Sequence, residues 1–234
     1  MRQLLAAIMA GSVLMLSATP AAAEPTFHAE EMRVAGAATT ASSSSLNPCS
    51  DGAYKLMGAK WTSPLAWYFR ASSTPAGLNR GAVEGVLKNA FANITGARND
   101  CGLGDNVSAS AAYQGQTTRR PACATYDGYN VVGFKSLSGN RLAVTCYWTM
   151  GGRIVEADIQ INSNQPWALS LVGCLRRSLL EATMTHEVGH AFGLDHVGEL
   201  THGRLTMSPV LDGLCNNNES TLGLGDVRGL EALY

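Results

Sequence analysis

The chain has 234 residues, a formal net charge of −1 at pH 7, and 15% charged against 46% hydrophobic side chains. With no basic run longer than Arg119-Arg120 or Arg176-Arg177, nucleic acid and anionic membranes are poor partners. The length suits one domain with a sizeable core, read as a monomer, and no appended domain is expected after Tyr234.

Arg2, an apolar run from Leu4 to about Ala18, and Ala21-Ala22-Ala23 before Glu24 read as a secretory signal peptide over residues 1–23. It is too short for a membrane anchor, and no later stretch approaches the roughly 20 apolar residues of a spanning helix. Export exposes the chain to an oxidising environment, so the six cysteines read as three disulfides. A local Cys101–Cys123 loop and a Cys174–Cys215 tie are the favoured pairs, which leaves Cys49 for Cys146; other connectivities stay open.

Residues 24–48 include the run Ala37 to Ser45 of alanine, threonine and serine, which cannot bury a core and reads as a disordered pro-segment or linker. The folded unit is expected over 49–234. Leu65 to Arg70 is strand-like. Val83, Val86, Leu87, Ala90, Phe91 and Ile94 recur at three and four, predicting a helix from about Asn79 to Asn93. Strands follow at Val107–Tyr113, Tyr129–Phe134, Leu142–Trp148 and Ile154–Ile161; in the last, Ala157, Ile159 and Ile161 alternate with Glu156, Asp158 and Gln160. Leu175, Leu179, Ala182 and Val188, with Leu180 and Met184 filling in, predict a helix over Leu175–Phe192.

That last helix carries the chemistry. His186-Glu-Val-Gly-His190-Ala-Phe-Gly193-Leu-Asp-His196 has the pattern H-E-x-x-H-x-x-G-x-x-H. Residues four apart share a helix face, so His186 and His190 can offer imidazole nitrogens to one metal at about 2.0–2.1 Å. Gly193 permits the left-handed turn that ends the helix and doubles the chain back, bringing His196 in as a third ligand. Three neutral imidazoles leave zinc its full charge and an open position for water, and Glu187 stands beside it as a general base. Three of the five histidines fall in this window, which chance or a solvated helix face explains poorly.

HEVGHAFGLDH, the turn Leu205-Thr-Met207-Ser-Pro209 and the terminal run Leu222 to Tyr234 together resemble a matrixin, a branch of the metzincin zinc peptidases, in what looks like a short secreted bacterial form. Lys60-Trp61, the following strand and the long helix are similar to the start of matrixin catalytic domains, so the resemblance spans about Tyr54 to Tyr234. It implies an α+β fold: a twisted, mostly parallel sheet with a long active-site helix and a C-terminal helix, and a zinc cleft between upper and lower subdomains. It further implies that Met207 forms a hydrophobic base under the metal and that Asp226 braces that turn, or else caps its own helix. Leu142 and Ala143 fall on a cleft-edge strand, Leu142 to Thr145, that pairs with extended substrate. Pro209, Val210 and Leu211 begin the wall of the pocket for the side chain after the scissile bond.

The chain also departs from the family. No histidine lies between His28 and His186, so the second, structural zinc of animal matrixins is not expected. Calcium follows only by analogy, without a dense Asp/Asn loop to hold it. Cys49 sits near where a latency cysteine would be, but an even cysteine count in an exported chain favours a disulfide. His202 reads as a solvated loop residue, and Asp195 as a turn or orienting group.

The expected activity is therefore zinc-dependent endopeptidase action on extracellular peptides and proteins. A narrow-specificity processing protease, a cell-wall amide hydrolase and a non-catalytic zinc-binding module are the alternatives. Glu187 argues against the last, which has no use for a base beside the metal.

Overall fold

The computed structural model describes residues 23–34, 46–211 and 213–234. The signal-peptide reading and the run from Ala37 to Ser45 lie outside them.

Seven strands form the main sheet: β1 (Thr26–Val34), β2 (Leu65–Phe69), β3 (Ala111–Gln116), β4 (Asn130–Lys135), β5 (Arg141–Met150), β6 (Arg153–Asn162) and β7 (Val210–Leu211), in the spatial order β7-β1-β5-β6-β4-β2-β3. Every neighbouring pair is parallel except those of β5, which runs antiparallel to both β1 and β6. This is the mostly parallel α+β sheet implied by the resemblance. Three principal helices accompany it: α1 (Arg80–Thr95), α2 (Leu180–Ala191) and α3 (Leu224–Leu233). Among the described residues, no helix is long and apolar enough to cross a membrane.

Helix α1 starts where Asn79 caps it, the side chain accepting from the Ala82 amide at 3.0 Å. Its apolar face is buried: Val83, Leu87, Ala90 and Ile94 are fully inaccessible, and Phe91 stacks on Trp67 of β2 with ring centroids 4.1 Å apart. From the opposite end, Asn93 donates to Thr185 of α2 and to the Ser220 carbonyl, so the two helices are joined by polar contacts as well as by packing.

Helix α2 starts five residues later than its apolar spacing predicts. Leu175 and Arg176 have φ of +44° and +58°, outside the right-handed helical region, and Leu175 is 80% exposed rather than part of a buried stripe. Cys174, bonded to Cys215, holds this turn, and Ser178–Leu179 is short parallel strand against Trp167–Ala168.

Two further expectations are corrected. The cysteines pair as Cys49–Cys101, Cys123–Cys146 and Cys174–Cys215; of the favoured pairs only the last is present. The loop carrying Cys123 folds back over the sheet instead of staying near the end of α1. Its Ala122 amide donates to Asp158 and its Pro121 carbonyl accepts from Gln160, both on β6, and this sets Cys123 above Cys146, the cross-strand partner of Asp158. Cys49 instead meets the loop after α1. The second correction concerns residues 24–48, where disorder was expected throughout. Thr26–Val34 is a nine-residue strand, ordered because β5 pairs with it from Thr26 to Arg33 and β7 takes Arg33 and Val34 on the other edge.

Digestion of the unreduced protein followed by mass spectrometry should recover the cross-linked pairs 49–101, 123–146 and 174–215, with no thiol titrating in the denatured state. A 101–123 peptide pair would contradict the loop placement.

Candidate metal centre and cleft

Helix α2 presents His186 and His190 on one face, and at its end Gly193 takes φ +95°. A side chain is doubly excluded there, since a Cβ would also strike the Ala59 carbonyl. The chain turns, and Leu194–Asp195 pairs with Lys55–Leu56, which returns His196 to the helix end. The three Nε2 atoms then lie 2.9, 3.0 and 3.1 Å from one another. His186 Nδ1 donates to the Thr206 carbonyl at 2.7 Å and His190 Nδ1 to the Leu194 carbonyl at 2.8 Å. A carbonyl can only accept, so both rings are fixed with the Nε2 lone pair facing the common centre.

This donor set fits zinc. Lone pairs converging at such distances repel one another without a cation between them, and the triangle is close to one face of a tetrahedral site with bonds of about 2.0–2.1 Å. Burial, with His196 nearby, holds the His186 imidazole down to about 3; burial also pushes His190 well below and His196 below its ordinary value. All three are thus neutral, as ligands must be. Among the described residues, a second cluster of potential ligands joins Glu30, Asp195 and His196 and shares His196 with the first.

Glu187 is fully buried behind the triad. Its carboxylate accepts from Thr145 Oγ1 of β5 at 2.5 Å and from the Met32 amide of β1 at 3.1 Å. Burial pushes this carboxyl up to about 8 against the pull of those two hydrogen bonds. Met207 is 2% exposed and packs on Gly189, where a Cβ would collide with its sulfur. The glycine inside the motif therefore clears room for the methionine below. Asp226 accepts from the Thr206 and Met207 amides at 3.0 and 3.1 Å and from the Gly223 amide at 2.9 Å. It both braces the turn and caps α3, so the two roles proposed for it coexist.

Comparison with family models matches residues 134–234 to the matrixin family. Over that span, a little under half of the chain, the sequence is similar to matrixins. Matrixins are zinc-dependent metalloproteases, and the matched stretch contains the histidine triad, Glu187, Met207 and Asp226. No curated protein matches the chain.

In this matrixin-like frame, the candidate cleft residues come together around β1. Ala143 of β5 lies opposite Met32, Leu142 is buried beside it, the Pro209 carbonyl accepts from the Arg33 amide at 3.0 Å, and Val210 and Leu211 pair with Arg33 and Val34. His202 is placed elsewhere: its Nδ1 binds the buried Asp51 carboxylate at 2.8 Å, tying a surface turn to the start of the domain. Asp195 Oδ1 accepts from the His196 amide at 2.7 Å, the orienting role expected of it. Thr145, the Thr206 and Leu194 carbonyls, and the strand Thr26–Val34 have no motif to announce them.

Replacing Asp226 with alanine strands three buried amides, each costing about 1–3 kcal/mol when left unsatisfied. Urea unfolding should show a loss of about 3 kcal/mol or more; a loss below about 1 kcal/mol would mean that Asp226 does not hold the turn.

Proposed function

We propose that the chain is a secreted zinc-dependent endopeptidase, with one zinc held by His186, His190 and His196 and Glu187 as its base. The observation that carries this reading is the convergence of three oriented imidazole nitrogens beside a buried carboxylate. When bound, zinc supplies Lewis acidity that polarises a carbonyl and acidifies water.

The chain's own groups supply the rest. Glu187 takes a proton from the attacking water and later delivers it to the leaving amine. Thr145 orients that carboxylate. Substrate lies extended along β5, pairing near Leu142 and Ala143, with the Pro209–Leu211 segment on its other side. The similarity of residues 134–234 to matrixins supports peptide-bond hydrolysis, and the three disulfides support export from the cytoplasm. The signal peptide over 1–23 and a catalytic domain over 49–234 complete the proposal, with extracellular proteins as substrates.

Elemental analysis of the calcium-washed protein should find one zinc per chain, and two would reveal a site outside the triad. Glu187→Gln keeps the size and a hydrogen-bond acceptor but removes the base. It should retain zinc and fold while cleavage of an unbiased peptide library falls by about 10² or more; an active variant would give the proton to another group.

A further inference from the structure

A cavity of about 470 Å³ lies where β2 and β4 end, and it shares no residue with the histidine triad or the cleft. The two strands are parallel neighbours, and the chain leaves them in opposite directions: β2 continues through α1 to β3 on its outer side, and β4 to β5, which lies beyond β6. Connections that part in this way open a crevice outside the carboxyl ends of the strands, the usual place for a ligand in a parallel sheet. The volume is that of a small-molecule site.

Its lining is basic on an apolar floor. Arg70, Arg120 and Lys135 supply three cations, Pro121, Ala122 and Phe134 the floor, and among the described residues no carboxylate lines it. Arg70 directly follows β2 and is fixed to β4: its amide donates to the Val132 carbonyl at 2.9 Å, while Ser73 Oγ donates to the Arg70 carbonyl at 2.6 Å and accepts from the Phe134 amide at 2.9 Å. Gly133 gives its stem room, since a Cβ there would lie 3.1 Å from Arg70 Cβ and 3.2 Å from Pro121 Cδ. Arg70 Nε is buried yet donates to no group among the described residues. Asp158, buried under the same loop, is engaged by the Ala122 and Val131 amides instead, and Arg119 turns to Asp127 and the Tyr129 ring. A buried donor held in place without an acceptor is costly in a folded chain, and a bound anion removes that cost.

We propose that this cavity binds a phosphate group, free or borne on an organic body. Nε–H and a neighbouring Nη–H of Arg70 form a planar fork that matches two phosphate oxygens, and a phosphate monoester brings about −1.5 to −2 charges and three acceptor oxygens at pH 7. Arg120 and Lys135, both exposed, add positive charge at the mouth. A bare phosphate fills only part of the cavity, which leaves the floor of Pro121, Ala122 and Phe134 for the body of an ester. The bound group joins β2, β4 and the loop that covers Asp158. It uses neither zinc nor Glu187, so the site stands whether or not the chain cuts peptides.

The test is titration calorimetry of the full chain at neutral pH with inorganic phosphate, with phenyl phosphate and with phenol. Both phosphate probes should bind saturably at one site and phenol should not. Tighter binding of phenyl phosphate assigns an organic monoester and equal affinity assigns free phosphate; either result upholds the site. Arg70→Gln should weaken binding by about 10-fold or more, the scale of a lost charge-assisted hydrogen bond, and Arg120→Gln and Lys135→Gln, at exposed positions, several-fold. Arg153→Gln removes the same charge at the far end of β6, roughly 30 Å from Asn162, the cross-strand partner of Lys135, and should leave affinity unchanged. In the wild type, the Arg70 Nε–H resonance should shift and exchange more slowly when phosphate is added. No saturable binding of either phosphate probe, an unmoved Arg70 Nε–H resonance, or an Arg153→Gln loss equal to that of the cavity variants overturns the proposal. The resonance and the two exposed variants decide the matter even if Arg70→Gln fails to fold.

Discussion

Three imidazole nitrogens must meet at one point with their lone pairs facing inward, and the surrounding structure answers to that requirement. Helical spacing brings only two of them together. The third depends on Gly193, whose φ of +95° and contact with the Ala59 carbonyl admit no side chain. Orientation is a separate demand, met by the Thr206 and Leu194 carbonyls, which fix the His186 and His190 rings by accepting from Nδ1. The Thr206 carbonyl is in turn held because Asp226 grips the amides of Thr206 and Met207 and anchors them to the start of α3. A chain of ordinary hydrogen bonds thus runs from the terminal helix to His186.

The other constraint is the edge of the sheet. A strand with an unpaired edge attracts extended backbone, which is a hazard in most proteins and a working surface in a peptidase. Here β5 faces β6 on one side and β1 on the other, and Thr145 projects from β5 to the Glu187 carboxylate. The strand proposed to pair with a peptide is therefore also the strand that holds the Glu187 carboxylate. Because β1 takes that edge and reaches Glu187 through a backbone amide, the segment before the domain is part of the site and not merely a leader.

Much of this was legible from residue pattern, and the limits have physical causes. The spacing of histidines, glutamate and glycine encodes a local geometry, so the triad could be anticipated without knowing the fold. The face of α1 was readable because its apolar residues bury against one neighbour, with Asn79 marking its start. On β6, by contrast, Glu156, Asp158 and Gln160 look like a solvated face yet are buried, because the loop from Pro121 to Gly128 covers them and feeds backbone groups to their side chains. Burial raises Asp158 to about 7 despite its bonds to the Ala122 and Val131 amides. That loop also relocates Cys123, which is why two disulfides were misjudged: pairing depends on where a loop lies across the sheet, a non-local fact. The strand Thr26–Val34 escaped notice because its order comes from its partners, and its own apolar content predicts nothing.

The central claim is that three oriented imidazoles, and no cysteine, hold the metal. X-ray absorption at the zinc edge of the loaded protein measures this directly. The account predicts three imidazole nitrogens at about 2.0–2.1 Å with the remaining coordination from oxygen; a sulfur at about 2.3 Å, or a site holding fewer than three imidazoles, would contradict it.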